Sequence, residues 1–87
     1  MDLQDYREQI DEIDDELLRL FSERMGVSRQ IALFKKARSL PAMDARREEE
    51  KLAMIGEKAP EELRQYTREL FLTLFRLSRD FQESFLV

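Results

Sequence analysis

Several polar residues near the middle of the chain have the types and spacing needed to hold a small anion. Arg24, Ser28 and Lys35 project within roughly 40° of one another around a helix that advances about 100° per residue. Arg24 and Lys35 lie about 16 Å apart along that axis, so two long side chains reaching toward each other could bind a small anion between them. This face therefore predicts binding and electrostatic stabilisation of an anion.

Two later segments add polar faces at helical spacing. Asp44, Arg47 and Glu48 stand at i, i+3 and i+4, which places them on one face. This face is either part of a site or an ordinary set of surface ion pairs. Ser78 and Gln82 stand at i and i+4 after a strongly apolar stretch. Neither spacing identifies a function by itself.

The residue types that the chain lacks exclude several classes of protein. Neither His nor Cys occurs, so we expect no disulfide, thiolate nucleophile, serine–histidine catalysis or His/Cys metal site. The N-terminus, MDLQDYREQ, is polar, and no apolar run approaches the roughly eighteen residues of a membrane span, which favours a soluble cytoplasmic protein. The net charge of −4 argues against nucleic-acid binding.

Length and composition predict one small all-α domain over residues 1–87. A chain of 87 residues leaves no room for two domains, and only 2 Gly and 2 Pro leave few turns. Apolar residues alternate at spacings of three and four over about five heptads, which predicts a long first helix over residues 3–38. These apolar residues are Leu3, Tyr6, Ile10, Ile13, Leu17, Leu20, Val27, Ile31 and Phe34.

Arg24 occupies a position where this pattern requires an apolar residue. Either its aliphatic stem packs in the seam while its head reaches solvent, or it is an interior cation that awaits an anion, since buried charges are rarely left without partners. The residues alone leave both alternatives open.

Two more helices complete the predicted order of long, short and long. Pro41 disfavours helix at the residue before it. A second helix is predicted over residues 43–55 with Gly56 as its C-terminal cap, and a third over residues 60–85. The first helix would be roughly 54 Å long, whereas a compact monomer of this size is only about 30 Å across. Either the chain is an elongated hairpin or, as we expect, a partner chain covers the overhang.

Five segments in order carry a family resemblance: YREQIDEIDDELLRLFSERM, IALFKKA, a short Pro-containing link, MDARREEEKL and LSRDFQ. Together they cover essentially the whole chain and closely resemble the all-helical, type II chorismate mutases. The resemblance implies one chorismate mutase domain, an intertwined homodimer of three-helix chains, and an isomerase that converts chorismate to prephenate in phenylalanine and tyrosine biosynthesis. Eight expected polar positions are occupied, by Arg7, Arg24, Lys35, Asp44, Arg47, Glu48, Ser78 and Gln82.

The resemblance implies that three arginines bind the carboxylates of the substrate. They are Arg24, Arg47 and Arg7, and Ser78 assists at the same polar surface. Arg7 lies about 25 Å along the helix from Arg24 and about 100° around it, so one chain cannot bring both to one small ligand. Arg7 is therefore expected to serve the site of the other chain.

The other four positions are implied to surround the reacting part of the substrate. Lys35 and Gln82 would donate hydrogen bonds to the ether oxygen of the breaking bond, and Lys35 would also touch a carboxylate. Glu48 would accept from the ring hydroxyl, and Asp44 would help to position that region. The implied rearrangement needs no metal, cofactor, nucleophile or proton transfer. The implied site carries four cations and two carboxylates, and this excess of two positive charges matches a dianion.

Two other functions stay open. A lyase of the same fold removes pyruvate from isochorismate, whose ring hydroxyl lies on a different carbon, so the Asp44–Glu48 face is the discriminating feature. A non-catalytic helical dimerisation module would use Arg24 to fix the register of the helices and leave the other charges on the surface.

Overall fold

The computed structural model describes residues 1–85 and contains three α-helices in the order long, short and long. Helix α1 spans Leu3–Ala37, α2 spans Ala45–Lys58 and α3 spans Arg64–Glu83, and a 3₁₀ turn at Glu61–Leu63 precedes α3. No strand occurs in the described residues, and no helix there is long and apolar enough to cross a membrane. The predicted all-α architecture is confirmed.

Helix α1 begins at a capping box formed by two aspartates. The Asp5 amide donates to Asp2 Oδ1 at 3.0 Å, and the Asp2 amide donates to Asp5 Oδ2 at 2.9 Å. These bonds satisfy two of the amide groups that a helix start leaves open. The helix is therefore fixed from its first turn, and Arg7 lies on a regular helical segment.

Helix α1 ends in a Schellman motif, which turns the chain back toward the helix. The Leu40 amide donates to the Lys35 carbonyl at 2.9 Å, the Ser39 amide donates to the Lys36 carbonyl at 3.3 Å, and Ser39 has a left-handed φ of 55°. The turn brings the carbonyl oxygen of Ala42 to 2.9 Å from Lys35 Nζ. The link between α1 and α2 thus holds this ammonium group in place.

Helix α2 is shifted along the chain relative to the prediction, and the predicted Gly56 cap is wrong. Gly56 lies inside the helix, which begins at Ala45 and continues to Lys58. The C-terminal cap is Ala59, whose amide donates to the Ile55 carbonyl at 2.9 Å and whose backbone is extended. The physical reason is the following proline, since the residue before a proline is driven out of helical conformation.

Helix α3 also has narrower bounds than the predicted range of residues 60–85. Pro60 precedes the 3₁₀ turn, and α3 itself ends at Glu83. The helix contacts both α1 and α2. Its buried residues include one apolar side chain, Phe75, and two polar ones, Ser78 and Gln82. Ser78 and Gln82, which their spacing places on one face, therefore lie on the side of α3 that packs against the other helices.

The described chain is elongated and leaves the apolar seam of α1 uncovered. Its extents are 54 × 25 × 14 Å and its radius of gyration is 16.1 Å, against about 12 Å for a compact chain of this length. All nine apolar seam residues are at least 41% exposed, and among the described residues the buried apolar ones are Ala32, Ala42 and Phe75. The predicted overhang is confirmed.

Candidate functional site

A cavity of about 530 Å³ lies between the three helices. Seven of the eight residues predicted for the site line it: Arg24, Lys35, Asp44, Arg47, Glu48, Ser78 and Gln82. They come from different helices, so the cavity depends on the packing of α3 against its two neighbours. The predicted residue that does not line the cavity is Arg7.

Arg24 projects from α1 into the packed region and contacts α3. Its Nη1 atom donates a hydrogen bond to the buried hydroxyl oxygen of Ser78, and its guanidinium carbon lies 5.9 Å from the centre of the Phe75 ring. Burial lowers the pKa of Arg24, since a low-dielectric environment penalises the charged form. No carboxylate among residues 1–85 forms a salt bridge with it. This geometry favours the interior cation over an arginine whose head reaches solvent.

Two hydrogen-bond donors face the cavity from α1 and α3, and each is held by a second residue. Lys35 Nζ donates to the Ala42 carbonyl oxygen at 2.9 Å. Gln82 Nε2 donates to Ser28 Oγ at 3.1 Å, and both of these residues are buried. Gln82 Oε1 is buried without a hydrogen-bond partner within the described part of the chain, an arrangement that costs free energy. The amide of Gln82 is thus only partly satisfied by its surroundings.

Asp44, Arg47 and Glu48 share a face of α2 as predicted, but their side chains do not pair with one another. Asp44 is the N-cap of α2, where its Oδ1 atom accepts from the Arg47 amide at 3.0 Å. Glu48 accepts from Arg79 on α3, at 2.5 and 2.6 Å for its two oxygens. The alternative of a self-contained surface ion-pair set is therefore wrong, and Asp44 has a structural role beside any role in the site.

Several residues lining the cavity were not assigned from the sequence. Arg79 and Lys51 add two cations, and apolar side chains complete the wall. Helical spacing could have found both cations, since Arg79 is three residues before Gln82 and Lys51 is three residues after Glu48. The apolar part of the wall comprises Val27, Ile31, Ala42 and Phe75.

The charge of the cavity is more positive than the sequence count indicated. Five cations and two carboxylates line it, an excess of three before Arg7 is counted. The excess of two positive charges that the sequence indicated was too low, because that count omitted Arg79 and Lys51. The correction strengthens the preference for a ligand that carries more than one negative charge.

Arg7 lies on the same unbroken helix as Arg24 and is exposed. Seventeen intervening steps of a helix amount to about 25 Å, and the cavity lining does not include Arg7. In this chain, therefore, Arg7 does not share the cavity with Arg24. That Arg7 serves another chain stays a prediction.

The arrangement is suited to binding and polarising an anion rather than to covalent chemistry. Charged and amide donors face the cavity from fixed positions, and such donors stabilise negative charge that develops in a transition state. Within residues 1–85, no group of three His, Cys, Asp or Glu side chains is placed to hold a metal ion.

Comparison with known families agrees with this geometry. A family model described as chorismate mutase type II matches residues 6–83, a range that contains the entire cavity lining together with Arg7. Comparisons with curated proteins and with solved structures give no match. Because the family match extends over nearly all of the sequence, the chain belongs to the type II chorismate mutase family.

Proposed function

We propose that this chain catalyses the rearrangement of chorismate to prephenate, on the route to phenylalanine and tyrosine. Family membership supports chorismate mutase activity in general. The observation that carries the specific proposal is the convergence of Arg24, Lys35 and Gln82 on one cavity that has an excess of positive charge. That combination suits a dianion whose reaction places new negative charge on an ether oxygen.

The proposed reaction requires shape and charge rather than reactive side chains. One C–O bond breaks as one C–C bond forms within a single molecule, with no proton to transfer and no covalent intermediate. The enzyme must hold a flexible dianion in its diaxial, chair-like form, which removes much of the entropic part of the barrier. Arg24 and Arg47 are proposed to bind its carboxylates, with Ser78 holding the Arg24 guanidinium through the hydrogen bond between them.

Lys35 and Gln82 are proposed to donate hydrogen bonds to the ether oxygen. They face the cavity from α1 and α3, and the Ala42 carbonyl and the Ser28 hydroxyl hold them in position. Donors that are already oriented need little reorganisation as charge develops, which makes them more effective than water. Glu48 is proposed to accept from the ring hydroxyl, and Asp44 to support that region from the N-cap of α2.

A homodimer completes this proposal. The exposed apolar seam of α1 is the surface that a second copy would bury, and Arg7 is proposed to reach the other chain's cavity to bind a carboxylate. A particle mass of twice 10.5 kDa in light scattering would support the dimer. A cytoplasmic location stays a prediction.

The direct test is loss of chorismate absorbance on addition of the purified protein, produced in a host that lacks its own chorismate mutase. Product identification by NMR should give prephenate. Isochorismate is assayed in parallel by pyruvate release, and faster turnover of this substrate would favour the lyase. A folded protein that turns over neither substrate would favour a non-catalytic dimerisation module.

A further inference from the structure

The ion pair between Arg79 and Glu48 differs from every other salt bridge in the described residues. Arg79 Nη1 lies 2.5 Å from Glu48 Oε1 and 2.6 Å from Oε2. It joins α3 to α2, and its two side chains are 27% and 20% exposed. The other four salt bridges each lie within one helix, between side chains that are at least 54% exposed.

This difference matters because exposed ion pairs contribute little to stability. The pair between Arg79 and Glu48 is partly shielded from water, and both of its residues line the cavity. Shielding strengthens the attraction between two charges and raises the cost of losing either one. Glu48 is thus held by a residue of another helix, and its position depends on that contact.

The contact also leaves Glu48 able to bind a ligand. A carboxylate has about four lone-pair sites, and a single nitrogen of Arg79 is shared between its two oxygens. The lone pairs that point away from Arg79 stay available to a hydroxyl group in the cavity. The orientation of the carboxylate, and hence the direction of those lone pairs, is set by the ion pair.

We propose that Arg79 is a positioning residue, which aims the Glu48 carboxylate at the ring hydroxyl of the substrate. This inference rests on the proposed function, because it takes chorismate as the ligand of the cavity. The ring hydroxyl is present in the substrate and in the transition state, so Arg79 contributes uniform binding. Its loss should therefore raise KM more than it lowers kcat.

Charged groups from all three helices line the cavity around Glu48. They are Arg24 and Lys35 on α1, Asp44, Arg47 and Lys51 on α2, and Arg79 on α3. Of the described residues, only Arg79 forms a hydrogen bond or salt bridge with the Glu48 side chain. Without Arg79, no other side chain of the described residues would hold the carboxylate in this orientation.

The test measures steady-state kcat and KM with chorismate for Arg79→Gln and Arg79→Lys, each in the wild-type and the Glu48→Gln background. Arg79→Gln should lower kcat/KM for chorismate by about 10- to 100-fold, the range expected for one charged hydrogen bond. The loss should come mainly through KM. Arg79→Lys retains a cation that can contact the carboxylate and should restore most of kcat/KM.

Arg76→Gln is the matched control on the same helix. Arg76 forms an exposed ion pair with Asp80 and does not line the cavity, so this variant should keep wild-type kinetics. In the Glu48→Gln background, Arg79→Gln should cause no further loss, because a residue that acts through Glu48 has nothing left to position.

Equal losses in the two backgrounds, or a loss that falls mainly on kcat, would overturn the role of Arg79. If Arg79→Gln does not fold, Arg79→Met, which keeps much of the length of the side chain without its charge, takes its place in the same comparison of backgrounds, and equal losses again overturn the role. Wild-type protein without chorismate turnover would overturn the proposed function and the inference with it. Turnover by the wild type with a failed Arg79 test would overturn the inference alone.

Discussion

Gln82 Nε2 donates a 3.1 Å hydrogen bond to Ser28 Oγ, and both residues are buried where α1 meets α3. The amide proposed to face the ether oxygen is therefore oriented by a hydroxyl on another helix. Such support is effective because a donor stabilises a transition state only when it already points at the developing charge. A change at Ser28 should therefore alter how well the Gln82 amide can donate to the ether oxygen.

Ser28→Ala should lower kcat by about 3- to 10-fold, the effect of roughly one neutral hydrogen bond. The substitution leaves the amide in place but frees it to rotate. Steady-state kinetics with chorismate measure the effect, and circular dichroism should show unchanged helix content. Ser22→Ala, an exposed position on the same helix, is the control and should keep wild-type kcat. Equal kcat for Ser28→Ala and wild type would show that Gln82 needs no support from α1.

Lys35→Ala should lower kcat by roughly 10² to 10³ with folding intact, the usual effect of removing a donor aimed at developing charge. Gln82→Ala should fall in the same range for the same reason. Lys36→Ala is the control, since Lys36 is exposed and does not line the cavity. Turnover of Lys35→Ala within a few-fold of the Lys36→Ala value would contradict the assignment of Lys35 to the ether oxygen.

The pH dependence of wild type should be flat between about pH 6 and 8, because the chain has no His and other side chains ordinarily titrate outside this window. The amide of Gln82 donates at any ordinary pH. A carboxyl introduced by Gln82→Glu donates only while it is protonated. The kcat of this variant should therefore decrease as the pH rises through the titration of that group. A wild-type kcat that changes steeply near neutrality would contradict this account.

Much of the site was predictable because helical periodicity determines which residues of one helix share a face. The spacing of Arg24, Ser28 and Lys35 placed them together, and the structure brings all three to the cavity. The same reasoning could not show which faces of different helices meet. The partners Glu48 and Arg79 are 31 residues apart, and nothing in either helix alone pairs them.

The error at Gly56 has a local physical origin. Glycine is a common helix cap because it adopts left-handed backbone conformations easily, which made it the predicted end of α2. The structure has no positive φ at this glycine, and the helix continues past it to Lys58. Gly56 and the proline after Ala59 both favour a helix end, and they lie within a few residues of each other. The proline determines where the helix stops.

Gly56→Ala should accordingly stabilise the protein by about 0.4–1 kcal/mol, since alanine loses less conformational entropy than glycine inside a helix. A side chain at this position meets no heavy atom within 4 Å, so no clash offsets the gain. Chemical denaturation monitored by circular dichroism measures the free energy of unfolding. A left-handed cap at Gly56 would give the opposite sign, and destabilisation by Gly56→Ala would contradict the helical assignment.

The sharing of sites between two chains can be tested by combining two inactive variants. In a heterodimer of Arg7→Ala and Lys35→Ala chains, one cavity receives wild-type Lys35 from its own chain and wild-type Arg7 from the other. Co-expression with two different affinity tags isolates this heterodimer. It should recover about half of the wild-type kcat, because one of the two equivalent sites of a symmetric dimer is intact.

The control heterodimer combines Lys35→Ala with Gln82→Ala. Both changes lie in the cavity formed within one chain, so each site of this heterodimer carries one defect and activity should stay low. If Arg7 instead served its own chain, the heterodimer of Arg7→Ala and Lys35→Ala would also have two defective sites and would show no recovery. Where the Arg7→Ala homodimer is itself nearly inactive, the ratio of the two heterodimer activities therefore separates a shared site from two self-contained ones.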